Sequence, residues 1–261
     1  MVSTVLNTDV KQKDADRAVV VAVTSCAVFE SGADDGDEVY KVGTAFPLLQ
    51  ALQRVNERLL EENPAESLLF DVILVTTDRE QQQQSSRIIS STRHYGLEVS
   101  KFCFSGAEDF IESLLTNNVR LFLSTDRNEA SQASQNGVLS ALLDQNLASC
   151  PSEQLRVLFC GDADIRSNIS PMPVSQQATQ SFSAQLGEMR QRFGMFDSPL
   201  SMVLMTSRGG RDSCSAALLT LRSQGVSVDE AYCLAGAPRG PILSLIRPHF
   251  LLSNGLSDLE E

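Results

Sequence analysis

The feature that most constrains this chain is a repeated change of period. Short runs rich in Val, Ile, Leu and Phe, such as "RAVVVAVTS", "FDVILVTTD", "VRLFLSTD", "LRVLFCGD" and "SMVLMTSR", alternate with longer stretches of different pattern. In those, as in "FPLLQALQRVNERLLEEN", apolar residues return every three or four positions. A short continuous apolar run suits a strand buried on both faces, and the longer pattern suits a helix laid against a sheet. The alternation predicts an α/β fold, with mostly parallel sheets and flanking helices. Further strands are expected at "EVSKFCFSG", "DEAYCLAG" and "HFLLSNG". Asn63-Pro64 should end the first long helix, because a residue before proline is pushed out of the helical region. The acidic "SGADDGDE" and the polar "REQQQQSS" read as solvated segments.

The pattern runs through the chain twice. Thr76 and Thr206 each close an apolar run and stand 130 residues apart. Cys103 and Cys233 lie in matching runs at the same spacing, and Ser124 and Ser253 follow at 129. Two readings stay open: an internal duplication, or the similar spacing that any two series of α/β units share because element and loop lengths vary little. The expected division is a flexible N-terminus over 1–17, an α/β half over 18–150 and a second α/β half over 151–261. The junction falls near "QNLASCPSEQ".

Charge and composition narrow the function. A net charge of −12 and a pI near 4.7 over 261 residues repel phosphodiester backbones and anionic lipid, so neither nucleic acid nor membrane is an expected partner. No apolar run has the length of a membrane span, and "MVSTVLNTDVKQKDADR" lacks the apolar centre of a secretory leader. The six cysteines are scattered without a C-x-x-C pair, which predicts a reducing, cytoplasmic setting. With only His94 and His249, supply alone argues against a multi-histidine metal centre or a histidine-dependent triad. His94 reads as a helix-terminal residue and His249 as structural. Cys103 and Cys233, placed within strands, read as small buried hydrophobes.

The second half gathers chemistry-bearing residues at strand ends. They are Cys160 and Asp162 in "VLFCGDAD", Thr206 in "VLMTSRG", Arg239 in "AGAPRGP", and Ser253 and Asn254 in "FLLSNG". In this order, and together with "GTAFPLLQALQRVN", "HYGLEVSKFCFSG", "TLRSQGVSVDEAYCLAGAPRGPIL" and "IRPHF", they resemble the cytosolic type I 5′-nucleotidases of the haloacid-dehalogenase-like phosphohydrolases. The resemblance implies a haloacid-dehalogenase-like second half. It also implies hydrolysis of a nucleoside monophosphate such as AMP through an aspartyl-phosphate, with Mg²⁺ neutralising the dianion. A first Asp would attack phosphorus and an Asp two residues on would protonate the leaving oxygen. A strand-end Thr and a loop Lys would hold the phosphate, and carboxylates after the last strand would complete the metal site.

Set against that pattern, the nucleophile position holds Cys160, while Asp162 keeps the acid/base position and the one remnant metal carboxylate. Thr206 keeps the phosphate position, Arg239 replaces the lysine, and Ser253 and Asn254 replace the last carboxylates. Losing a nucleophile from residues that act as a unit costs on the order of a millionfold in turnover. A hard dication prefers carboxylate oxygen to thiol, hydroxyl or amide, so Mg²⁺ is expected to be lost with its ligands. The resulting expectation is a nucleotide-binding or regulatory pseudoenzyme, its ligand a nucleoside monophosphate or a protein partner. One alternative is an active 5′-nucleotidase. A second is a Cys160-dependent phosphatase using the C-x5-R spacing to Arg166, although Asp162 and Asp164 between them would raise the thiol pKa.

Overall fold

The computed structural model describes residues 3–30, 39–106, 109–143, 153–161, 174–194, 197–207 and 211–252. Among them the first half runs β1 (Ser3–Leu6), β2 (Val19–Thr24), α1 (Ser25–Val28), α2 (Phe46–Glu62), β3 (Phe70–Thr76), α3 (Arg79–Gln83), α4 (Ser85–His94), β4 (Val99–Phe104), α5 (Phe110–Thr116), β5 (Leu121–Ser124), α6 (Arg127–Gln135) and β6 (Ser140–Leu142). The second half runs β7 (Leu155–Cys160), α7 (Val174–Gln191), β8 (Leu200–Thr206), α8 (Arg211–Ser223), β9 (Glu230–Cys233), α9 (Gly240–Ile246) and β10 (Phe250–Leu252). Every run expected to be a strand is one, and α2 ends at Glu62, before Asn63-Pro64.

The strands form two sheets, in the orders β1-β4-β3-β2-β5-β6 and β10-β7-β8-β9. All ladders are parallel except that of β1 on β4, so the mostly parallel α/β architecture is as the sequence predicts. Strands β2, β3 and β8 are buried along their whole length, which is why their sequences are apolar without alternation. Within the larger sheet the sequence β5-β2-β3-β4 has the same strand order as β10-β7-β8-β9. The two halves therefore repeat a topology as well as a spacing.

One apolar cluster spans both sheets, taking in Val21, Leu52 and Leu74 from the first half and Val157, Phe182, Leu186 and Leu204 from the second. Edge strands β6 and β10 lie side by side. Ion pairs also cross between the halves: Arg17 to Glu188 at 2.9 Å, Arg58 to Asp197 at 2.7 Å and Arg192 to Glu66 at 3.5 Å. Exposed pairs add little each, so the shared apolar layer is the main joint.

Three local features depart from the periodicity. In the N-terminal arm, Ser3–Leu6 pairs antiparallel with β4 although each of its residues is exposed. Backbone hydrogen bonds to an open sheet edge, rather than burial, hold it there. "REQQQQSS", expected to be solvated, is partly interior. Gln81 is buried and accepts from Ser25 Oγ at 2.6 Å, while the Gln82 amide donates to the carbonyls of Ser105 at 2.8 Å and of Thr76 and Thr77 at 3.3 Å. The Gln82 amide thus satisfies backbone carbonyls at the ends of β3 and β4. Finally, Cys103 and Cys233 are not structural equivalents. A register shift at Val72/Ile73 sets Val75 opposite Cys103, whereas Thr206 is opposite Cys233.

Candidate functional site

In a parallel sheet the loops that carry chemistry lie beyond the carboxyl ends of the strands. In the second sheet that end is formed by Cys160 on β7, Thr206 on β8 and Cys233 on β9. The ladder sets Cys160 opposite Met205, and the Gly161 N–H donates to the Met205 carbonyl at 2.8 Å. Gly161 then lies directly against Thr206.

Thr206 is buried, and its hydroxyl has no hydrogen-bond partner among the described residues. A buried hydroxyl without a partner costs about 1–3 kcal/mol. Beyond β9 the chain turns back through two left-handed residues, Ala235 at φ 53° and Gly236 at φ 86°. Leu234 N–H donates to the Thr206 carbonyl at 2.8 Å, and Gly236 N–H to that of Ser207 at 2.9 Å. This brings Arg239, the residue capping α9, to Ser207, where its guanidinium donates to Oγ at 3.3 Å. Thr206, Ser207 and Arg239 are thus brought together at one corner of the sheet.

Cys160 stands at the same end but on the opposite face. Side chains alternate along a strand, and Cys160 packs with Leu158, Met205 and Leu234 against α9, on the side away from Gly161 and Thr206. A half-buried thiol in that apolar layer fills space as a small hydrophobe would. Asp162, Asp164, Arg166, Ser253 and Asn254 lie outside the described residues. So does Cys150, with most of the junction. Among the described residues no group of three His, Cys, Asp or Glu side chains could hold a metal. Among the described residues the donors at these strand ends are thiols and a hydroxyl rather than the carboxylate oxygens that a hard dication prefers.

The histidines take structural places. His249 Nδ1 accepts from the Arg156 backbone N–H at 3.0 Å while the His249 backbone N–H donates to the Arg156 carbonyl at 2.9 Å, and His94 closes α4. Cys103 is buried as expected, and burial pushes its thiol pKa up. Cys233 is exposed, contrary to expectation, because β9 is the edge of its sheet whereas β4 is covered by β1. Ser207 is not singled out by the sequence and is signalled only by its place after Thr206.

A four-stranded parallel sheet of this order, with a strand-end hydroxyl and a loop arginine meeting beyond its carboxyl ends, is a haloacid-dehalogenase-like α/β arrangement. The chain belongs to the 5′-nucleotidase family, whose model matches residues 32–185 and 167–261. It is 31% identical over 293 aligned positions to human "Cytosolic 5′-nucleotidase 1B", an alignment covering 93% of this chain and 47% of that protein. The chain therefore spans about half the length of this curated relative. Solved structures give only distant likeness. A methylmalonate-semialdehyde dehydrogenase from Sinorhizobium meliloti has a TM-score of 0.27 at 11% identity, covering 79% of this chain and 34% of that one. A short-chain dehydrogenase from Escherichia coli CFT073 has 0.24 at 11%, covering 87% and 100%. Scores this low carry no argument about function. Among the described residues no helix is long and apolar enough to cross a membrane.

Proposed function

We propose that this chain is a nucleotide-binding, non-hydrolysing member of the 5′-nucleotidase family. It would grip the phosphate of a nucleoside monophosphate such as AMP with Thr206, Ser207 and Arg239. The observation that carries the reading is the buried Thr206 hydroxyl without a partner among the described residues, beside a turn that brings a guanidinium to the same corner. A phosphate oxygen would satisfy that hydroxyl, and an arginine fork offers paired donors to two more oxygens.

Hydrolysis is a separate matter. A thiol at position 160 that packs into the apolar layer under α9 is poorly aimed at a phosphate held from the Thr206 face. Mg²⁺ chemistry enters no step, since Cys160, Ser253 and Asn254 stand where the family pattern has carboxylates. Asp162 would be left with no phosphoenzyme to form or resolve.

Two measurements test the reading. AMP binding to the native state alone should raise the melting temperature, and Arg239→Ala should abolish that rise. Release of phosphate from AMP, IMP and an aryl phosphate should be at background with Mg²⁺ and with chelator. Metal-dependent release would establish an active nucleotidase instead. Chelator-resistant release lost in Cys160→Ser would establish a thiol-dependent phosphatase.

A further inference from the structure

The face of the second sheet that carries Leu158, Val203 and Met205 packs against the seven-residue α9, away from α7 and α8. Toward the amino ends of the strands the same face continues with Arg156 and Ser201, opposite each other in the β7–β8 ladder, and with Glu230 on the edge strand opposite Val203. With Tyr232 and Leu245 these residues line a cavity of about 470 Å³. It lies at the other end of the strands from Thr206, beside the last turn of α9, whose first turn is capped by Arg239.

The charges around this cavity are unequally engaged. Arg190 is neutralised by Asp229, whose Oδ1 accepts from Nη2 at 2.6 Å and from Nε at 3.1 Å. Arg156 instead rests on two neutral acceptors: its Nε donates to Gln154 Oε1 at 3.2 Å and its Nη1 to the Ile246 carbonyl at 2.8 Å. Those bonds orient the guanidinium, and among the described residues no carboxylate forms an ion pair with it. Its remaining N–H groups keep their charge for a ligand. Glu230 is exposed; its Oε2 accepts from the Tyr232 hydroxyl at 2.5 Å, and no cation among the described residues pairs with it. The cavity thus offers one unpaired cation and one unpaired anion.

We propose that this cavity binds a small ω-amino acid, its carboxylate on the Arg156 fork and the Ser201 hydroxyl and its ammonium on Glu230. A simple anion there meets Arg156 but also Glu230, and a simple cation meets the reverse, whereas a zwitterion satisfies both. Arg156 and Glu230 are on strands with β8 between them, so their backbones stand roughly 10 Å apart, and their side chains do not close the gap to an ion pair. The ligand's ammonium and carboxylate are therefore separated by a few methylene groups, as in 4-aminobutyrate. The inference does not depend on the nucleotide reading, since the cavity and its charges exist whatever the Thr206 corner binds.

The full chain is melted with 4-aminobutyrate, butyrate or butylamine, each at about 10 mM, a range suited to the weak affinity of so small a ligand. The expected result is a raised melting temperature with 4-aminobutyrate and little or no rise with either half-ligand, each of which leaves one charge unmet. By calorimetry, Arg156→Gln should weaken 4-aminobutyrate on the order of tenfold or more, with Arg156→Lys between it and the wild type. Glu230→Gln, at an exposed position, should weaken it by up to about fivefold without weakening butyrate. Arg239→Ala should leave 4-aminobutyrate binding unaltered, which separates this cavity from the phosphate corner. A wild-type chain that binds none of the three probes, or binds a half-ligand as well as the zwitterion, overturns the inference, and neither outcome needs a variant to fold. Binding that survives both Arg156→Gln and Glu230→Gln, or is lost in folded Arg239→Ala, overturns it too.

Discussion

Gly161 and Thr206 are in such close contact that no side chain fits between them. A Cβ at position 161 would lie 2.8 Å from Thr206 Cγ2 and 3.0 Å from both Ala217 Cβ and Leu204 Cδ1. Thr206 and Leu204 belong to β8, which is buried along its whole length, and Ala217 is the buried residue of α8 against it, so they have little room to give. Gly161→Ala should cost about 1–3 kcal/mol by overpacking. It should also push Thr206 off its position, so that any AMP-induced rise in melting temperature shrinks with it. Denaturant unfolding of the variant measures the first effect. A loss under half a kcal/mol would mean that β7 and β8 separate more easily than the contact implies.

A second expectation concerns Asn56, buried on α2. Its amide donates to the Phe70 carbonyl at 2.8 Å and its oxygen accepts from the Phe70 N–H at 2.7 Å, so one side chain satisfies both backbone groups where β3 begins. Asn56→Leu removes both partners at once and leaves two buried polar groups unpaired, at about 1–3 kcal/mol each. The expected result is a markedly lower unfolding midpoint. Asn56→Asp, which keeps the acceptor and loses the donor, should fall between the variant and the wild type if the two hydrogen bonds contribute separately.

How far the chain could be read before its structure follows from what each device depends on. Buried parallel strands announce themselves because both faces demand apolar residues, and so β2, β3, β7 and β8 were legible, as was the strand-end place of Thr206 and Cys160. Asn63-Pro64 marked the end of α2 by local sterics. What depends on a partner distant in sequence was not legible. Ser3–Leu6 has no buried face and is a strand only because β4 offers an edge. Gln81 and Gln82 look solvated until Ser25, Thr76 and Ser105 arrive beside them. The equal spacing of Cys103 and Cys233 suggested equivalent thiols, yet one is buried under β1 and the other lies on an open edge. Exposure of an edge strand is a property of sheet order, which no local run of residues announces.

Acid should weaken the joint between the halves. The Glu66 carboxylate is held below its usual range, chiefly by the Leu68 N–H at 3.0 Å, with the Ser67 N–H at 3.0 Å and the Arg192 charge adding to it against burial. A folded-state pKa below the unfolded value means that its stabilisation is fully present above the ordinary carboxylate range. It is lost as pH falls through the depressed folded value. Glu66→Gln should therefore be less stable than wild type at neutral pH, by about 1 kcal/mol. The difference should narrow as the medium is acidified below the usual glutamate range. Melting temperatures of the pair across that range give the test, and a gap that stays constant with pH would assign the effect to packing rather than charge.

The strongest test of the functional reading is an attempt to restore what Cys160, Ser253 and Asn254 have replaced. Cys160→Asp alone should give almost no AMP hydrolysis, because a carboxylate at the end of β7 would still lack the other anionic ligands that bring a metal to it. It would also exchange a thiol packed against Leu158 and Met205 for a charge, and so lower stability. Ser253→Asp with Asn254→Asp should be equally silent, having ligands and no nucleophile. The triple variant should hydrolyse AMP in the presence of Mg²⁺ and stop with chelator, at a rate well above the sum of the other two, since nucleophile and metal act as one unit. Arg239 in place of lysine should keep the rate below that of a natural enzyme, its planar fork spreading the charge that an ammonium concentrates. Initial-rate assays on the three variants, with thermal shifts to confirm folding and AMP binding, decide the matter. A folded triple variant that binds both AMP and Mg²⁺ yet turns over no faster than the parent would show that the missing activity has another cause. The opposite-face placement of position 160 relative to Thr206 would then be the first geometry to alter.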